Sequence, residues 1–111
     1  MLLDIRTYRC KPGTIAKHLD LYDRHGRAPQ FRCLGEPLFY GKVETPDPNE
    51  YIHIWAYADA ADRAARRAAL WQDEEWLAYT RMSADLAALD GQTNKLVQSV
   101  SFDPLAAKRT T

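Results

Sequence analysis

The chain has 111 residues, the size of one domain, and 46% of them are hydrophobic, which is enough to build a core without disulfides or a metal. Its 15 Lys and Arg residues balance its 15 Asp and Glu residues, so no net charge favours nucleic acid or an anionic membrane as a partner. Cys10 and Cys33 lack the spacing of a disulfide scaffold or a zinc site, and no apolar run predicts a signal peptide or a membrane span. We therefore expect a cytoplasmic protein.

The first predicted strand covers residues 2–10, where apolar and polar side chains alternate as in a half-buried strand. A helix is predicted to begin after Thr14, a residue type that caps helices, and to end at Gly26. A short second helix is predicted to have Pro29 in its first turn and Gly35 just past its end.

A hairpin is predicted next, with strands at residues 37–44 and 51–57 joined by a turn rich in Pro and Asp. The second of these strands has the clearest pattern in the chain. Its even positions are aliphatic, and its odd positions carry Tyr51, His53, Trp55 and Tyr57.

A long helical stretch follows, opened by Asp59 or Asp62 and stopped by Gly91. It is predicted to break at residues 72–73, where Asp73 caps a new helix. The arginines of its Ala-rich first half are expected on the solvent side: Arg63, Arg66 and Arg67. A fourth strand is predicted over residues 95–102.

The order β-α-β-β-α-β predicts a ferredoxin-like α+β domain over residues 1–105, with a flexible tail at 106–111. We expect a four-stranded antiparallel sheet with both helical stretches on one face. The aliphatic face is assigned to the helices: Leu3, Ile5, Phe39, Val43, Ile52, Ile54 and Ala56. The other face would then display Arg6, Tyr8, Tyr40, Lys42, Tyr51, His53, Trp55, Tyr57 and Gln98. So many rings would form an apolar patch that a second copy of the chain is expected to cover.

Five strings of the sequence together resemble the NIPSNAP family across about residues 2–104. They are I-R-T-Y at 5–8, K-P-G at 11–13, H-I-W-A-Y at 53–57, A-D-R-A-A-R-R-A-A-L at 61–70 and D-E-E-W-L-A-Y at 73–79. The resemblance implies a dimeric α+β barrel, in which two sheets close face to face. Relatives in that superfamily include cofactor-free monooxygenases, haem-handling enzymes, cyclases and isomerases, so kinship of fold does not fix the activity.

The densest candidate site lies on the ring-bearing face of the predicted sheet. In a catalytic interpretation His53 moves a proton, Tyr8 or Tyr57 donates to an oxyanion, and Arg6 holds a carboxylate or enolate. Trp55 would then form an apolar wall for a planar substrate, with Tyr40 and His25 as further binding residues. In a structural interpretation the same side chains form the core of a dimer, and Arg6 pairs with Asp4 or Glu44.

The sequence predicts no metal site and no bound cofactor. Its three histidines, His18, His25 and His53, form no ligand pattern, and His18 is expected at the surface or its boundary. Residues 59–90 lack the histidine that haem-degrading relatives use. Two functions stay open: a cofactor-independent enzyme acting on a small apolar or aromatic metabolite, and a non-catalytic ligand-binding or assembly module.

Overall fold

The computed structural model describes residues 1–106, so the predicted tail at 106–111 lies, except for Ala106, outside the described residues. The strands are β1 (Leu2–Cys10), β2 (Phe39–Lys42), β3 (Glu50–Tyr57) and β4 (Leu89–Gln98). The helices are α1 (Ile15–Leu21), α2 (Arg27–Leu34), α3 (Ala60–Leu70) and α4 (Glu74–Leu86), with a π-helical turn at Tyr22–Gly26. None of these helices is long and apolar enough to cross a membrane.

The four strands form one antiparallel sheet in the order β2-β3-β1-β4. The register of the central pair places Arg6 opposite His53 and Tyr8 opposite Tyr51. On the other side of β3, Tyr40 lies opposite His53. This arrangement confirms the predicted ferredoxin-like fold, with helices on one face of the sheet. It also brings β1, β2 and β3 together at His53.

The first helical stretch does not end at Gly26 as predicted, because α1, the π-helical turn and α2 run on without a break. A Cβ at Gly26 would lie 2.8 Å from Cδ1 of Tyr22 and 3.0 Å from the ring of Tyr79. Glycine is therefore needed here for close packing of α4, not for helix termination. The two uses of glycine look alike in a sequence.

The second helical stretch breaks where predicted, and each half begins at an aspartate cap. Asp59 accepts a hydrogen bond from the backbone N–H of Asp62 at 2.8 Å, and Asp73 accepts one from Trp76 at 3.0 Å. The end of the stretch was predicted wrongly. Helix α4 stops at Leu86, where Ala87 takes a left-handed conformation with φ 57°, so β4 begins earlier than predicted.

The helices cover the ring-bearing face of the sheet, so our assignment of the two faces was wrong. Tyr51, His53, Trp55 and Tyr57 are each 4% exposed or less, although no second chain is present. The aliphatic face is open instead: Ile52 and Ile54 are only half-buried, and Phe39 is 53% exposed. Alternation separates the faces of a strand but does not say which face is covered. Trp55 therefore belongs to the core of one chain and not to a dimer interface.

Candidate functional site

A cleft of about 650 Å³ lies between the ring-bearing face of the sheet and the helices. Its walls carry five tyrosines and two tryptophans, which are Tyr8, Tyr22, Tyr40, Tyr51, Tyr79, Trp71 and Trp76. Three cations, Arg6, Lys11 and Arg67, line the cleft, and its described lining contains no Asp or Glu. Flat aromatic walls with a cationic bias suit a planar organic molecule of negative charge.

The imidazole of His53 lies between two phenol rings in the wall of this cleft. Its centroid is 5.1 Å from the ring of Tyr8 and 4.6 Å from the ring of Tyr40, with interplanar angles of 17° and 16°. The strand register produces this stack, because β1 and β2 flank β3 and present their rings on the same face. The stack fixes the plane of the imidazole and leaves only its edges to make hydrogen bonds.

Hydrogen bonding fixes the proton on His53 as well. The indole N–H of Trp55 donates to Nδ1 of His53 at 2.6 Å. An indole nitrogen has no acceptor capacity, so Nδ1 must accept and the proton of a neutral imidazole must sit on Nε2. Burial, followed by the charge of Arg6, lowers the pKa of His53 to about 3. At neutral pH the site therefore holds an uncharged ring with an Nε2–H donor.

That donor has no partner in the described residues. Nε2 of His53 is buried and without a hydrogen bond, although the residue is among those lining the cleft. A buried N–H left unpaired carries a desolvation penalty that a ligand acceptor would remove. The geometry favours hydrogen-bond donation by His53 over proton abstraction, because the only basic nitrogen is occupied by Trp55.

A second buried histidine supports the floor of the cleft. His18 on α1 is 1% exposed, so the expectation of a surface or boundary position was wrong. Its Nε2 lies 2.7 Å from the hydroxyl oxygen of Tyr51 on β3. Burial lowers the pKa of His18, and the contact joins the first helix to the central strand.

The cationic end of the cleft is organised by a carboxylate beneath it. Asp4 is fully buried and lies 3.3 Å from Nη1 of Arg6 and 3.0 Å from Nε of Arg63. Arg6 also donates to the hydroxyl oxygen of Tyr8, from Nη2 at 3.0 Å and from Nε at 3.2 Å. The alternative in which Arg6 pairs with Asp4 is thus the one observed. Arg63 is not on the solvent side as predicted.

The structure brings together some of the predicted site residues and separates others. Arg6, Tyr8, Tyr40 and His53 line the cleft. Trp55 and Tyr57 lie behind it, each 2% exposed or less. His25 is half-buried on the π-helical turn and is not among the residues lining the cleft.

Several residues of the cleft were not predicted as site residues, among them Tyr22, Gln30, Arg67 and Tyr79. Tyr22 and Tyr79 belong to apolar helical stripes, and nothing in such a stripe marks the part that borders a cavity. Gln30 accepts a hydrogen bond from Tyr22. One feature of the sequence could have pointed to Arg67. Asp4 alternates onto the same strand face as Arg6 and Tyr8, and a buried carboxylate predicts cations on the element that packs over it.

Nothing in residues 1–106 groups three or more His, Cys, Asp or Glu side chains in a way that could hold a metal ion. Cys10 and Cys33 are both free thiols. The polar groups that line the described cleft are neutral donors, the guanidinium groups of Arg6 and Arg67 and the ammonium group of Lys11.

Comparisons with known proteins confirm the resemblance found in the sequence. The NIPSNAP family model matches residues 3–104. A NIPSNAP family protein of unknown function from Agrobacterium tumefaciens is 38% identical, with 95% of this chain and 93% of that chain covered and a TM-score of 0.86. An uncharacterized NIPSNAP domain protein from Burkholderia xenovorans is 27% identical, with 94% and 99% covered and a TM-score of 0.87.

A putative antibiotic biosynthesis monooxygenase from Nitrosomonas europaea shares the fold. It is 15% identical, with 90% of this chain and 99% of that chain covered and a TM-score of 0.64. At that identity the likeness concerns architecture alone. No curated protein matches the chain.

Proposed function

The chain belongs to the NIPSNAP family, and from that premise we propose that it is a cofactor-independent enzyme whose cleft binds a small planar carbonyl compound as its oxyanion. The observation that carries the proposal is the unpartnered Nε2–H of a neutral, buried His53 in an aromatic cleft. A neutral imidazole that donates a hydrogen bond can stabilise an enolate or phenolate without giving up its proton.

The surroundings of His53 strengthen such a contact. Low solvent access raises the value of each electrostatic interaction, and the stacked rings of Tyr8 and Tyr40 hold the donor in place before a ligand arrives. Arg6 on β1 lies directly opposite His53 on β3 and carries a positive charge. In an enolisation, the α C–H bond breaks and its proton passes to water. The electron pair of that bond forms the C=C bond of the enolate, and the π pair of the carbonyl group moves to the oxygen. The developing negative charge then meets the Nε2–H of His53.

The binding step is tested with umbelliferone, whose phenol and phenolate forms absorb at different wavelengths. We expect the bound phenol to have a pKa lowered by about one unit or more, because the cleft favours the anion. His53→Phe keeps a flat ring between the two tyrosines but removes the donor, and it should reverse most of this shift. The methyl ether of umbelliferone is the matched neutral control. Equal affinity for the two coumarins with no change of pKa would reject the proposal.

A non-catalytic ligand carrier is the second candidate function, and one observation favours it. The described lining of the cleft has no carboxylate, and the basic nitrogen of His53 is occupied, so no general base is evident. Exchange of the α-protons of 2-tetralone for deuterium, followed by NMR, separates the two candidates. Exchange that the protein accelerates and that His53→Phe slows supports an enzyme, whereas binding without accelerated exchange supports a carrier.

We also propose a homodimer, but through the aliphatic face of the sheet. Leu3, Ile5, Ile52 and Ile54 are half-buried there without any covering helix, and Phe39 is exposed. Along the middle of the central strands this face carries uncharged side chains, with Lys95 of the edge strand β4 opposite Ile5. An apolar centre of this kind suits contact with an identical copy. Sheet-to-sheet pairing is also what the family resemblance implies.

A further inference from the structure

The cationic end of the cleft holds more positive than negative charge. Within the part of the chain that the structure describes, Asp4 is the one carboxylate that contacts Arg6 and Arg63. A third guanidinium, Arg67, lies one helical turn beyond Arg63 on α3 and lines the cleft. Three guanidinium groups against one carboxylate leave two positive charges uncompensated.

Of the three guanidinium groups, that of Arg67 is the one best able to bind a further anion. It is half-buried, and its guanidinium makes no hydrogen bond or ion pair with residues 1–106. Burial, followed by the charges of Arg6 and Arg63, lowers the pKa of Arg67, which means that its surroundings disfavour its charge. Arg6 and Arg63, by contrast, are already bound to Asp4. A partly buried cation among other cations is destabilising unless an anion joins it.

We propose that Arg67 binds a carboxylate of the substrate, so that the ligand is a planar carbonyl compound that also carries a carboxylic acid group. This inference rests on the proposed function, since the oxyanion at His53 is the other end of the same ligand. An enolate and a carboxylate together carry two negative charges, which match the two uncompensated positive charges. The ligand class is therefore that of aromatic or unsaturated oxo acids and hydroxy-aryl acids.

A carboxylate fits this position better than a phosphate. One guanidinium can bind a carboxylate through two parallel N–H bonds. A phosphate is bound best where several backbone N–H groups converge, as at a helix N-terminus. Arg67 lies in the last turn of α3, where a helix presents carbonyl oxygens, so such N–H groups are absent from its immediate helix end.

The test compares umbelliferone-3-carboxylate with umbelliferone-3-carboxamide, which differ only in the charged group. Binding is measured by quenching of the tryptophans in the cleft wall. We expect the carboxylate to bind at least about tenfold more tightly than the carboxamide, as for a charge-assisted pair. Arg67→Gln should abolish that preference, while Arg81→Gln, a change at an exposed arginine of α4, should preserve it.

If Arg67 had a purely structural role, Arg67→Gln would lower the unfolding temperature. The inference predicts no such decrease. Because its charge is disfavoured in the folded chain, Arg67→Gln should unfold at the same temperature as the native protein or a higher one. A variant that keeps its stability and loses only the carboxylate preference supports the inference. Equal affinity of the native protein for the two derivatives overturns it. If umbelliferone itself still binds as its phenolate, only this inference falls; if no coumarin binds, the proposed function falls with it.

Discussion

Trp55 fixes the tautomer of His53. Its indole N–H donates to Nδ1 across 2.6 Å, and both residues lie on the helix-facing side of β3. Neither nitrogen is reached by bulk solvent, since His53 is 2% exposed and Trp55 is 1% exposed. The donor that the cleft offers to a ligand is thus set by a residue that does not line the cleft.

Trp55→Phe should release this constraint. We expect ¹⁵N spectra to show His53 as the Nε2–H tautomer in the native protein and as a mixture of tautomers in the variant. The loss of a buried hydrogen bond should lower the free energy of unfolding by about 1 to 3 kcal/mol. Trp76→Phe is the control, because Nε1 of Trp76 has no hydrogen-bond partner among residues 1–106 to lose. A native spectrum with the proton on Nδ1 would contradict the assignment.

Acidification should destabilise the fold below the ordinary pKa of histidine. His53 titrates at about 3 in the folded chain and near 6.5 when unfolded, so between these values the unfolded state binds more protons and stability falls as pH falls. Between pH 6.5 and pH 5 the effect of His53 alone lowers the free energy of unfolding by about 2 kcal/mol. Burial also lowers the pKa of His18, which adds a further loss of stability in acid.

Urea unfolding at pH 7 and pH 5 measures the effect of acid. His53→Phe should unfold more easily at pH 7 but show a smaller difference between the two pH values than the native protein. The same difference in both proteins would assign the acid sensitivity to other groups.

Neighbouring residues of β3 should respond in opposite ways to the same substitution. Trp55→Asp places a charge in the core and should cost at least about 3 to 5 kcal/mol, enough to unfold the chain. Ile54→Asp changes the open aliphatic face and should leave a folded monomer. Circular dichroism and sedimentation of both variants make the comparison. A native protein that sediments as a monomer at high concentration would reject the proposed dimer.

The buried carboxylate should matter far more than an exposed one. Asp4→Asn leaves Arg6 and Arg63 without their counter-charge, and we expect a loss of about 3 to 5 kcal/mol in the free energy of unfolding. Asp90→Asn breaks the exposed pair with Arg9 and should cost less than about 1 kcal/mol. Chemical denaturation of the two variants is the measurement. Similar losses would mean that the Asp4 network adds nothing beyond a surface pair.

The order of elements and the sheet topology could be predicted from the sequence. The spacing of apolar residues marks strands and helices, and Gly, Pro and Asp mark many of their ends. Alternation identified β1 and β3, and Asp73 marked the joint between α3 and α4. The end of α4 could not be predicted, since an alanine with positive φ leaves no trace in a sequence. Gly91 offered a plausible but wrong stop.

The candidate site was found in part for the same reason. Alternation groups four residues that lie on one face of the sheet, although that face was expected to contact a second copy of the chain and not the helices. They are His53, Tyr8, Tyr40 and Arg6. The sequence held a corrective signal in Asp4. A carboxylate on the aromatic face needs partners, and one of them, Arg63, lies on a helix of the same chain and not on another copy. Whether a cation on that helix also projects into a cavity, as Arg67 does, depends on packing, which alternation does not encode.

The π-helical turn at Tyr22–Gly26 determines where the first crossover can change its length. Such a turn accommodates an added residue within a helix. Deleting one residue within it would restore a regular α-helix and leave α2 in nearly the same orientation, because the turn had absorbed the extra residue. Deleting Ala28 from the regular turns of α2 would instead rotate the rest of that helix by about 100°. Gln30 would then swing away from Tyr22, and Phe31 away from Trp55, which it meets edge to face at 6.1 Å. The first crossover should therefore tolerate the loss of one exposed residue within the π-helical turn, but not within α2.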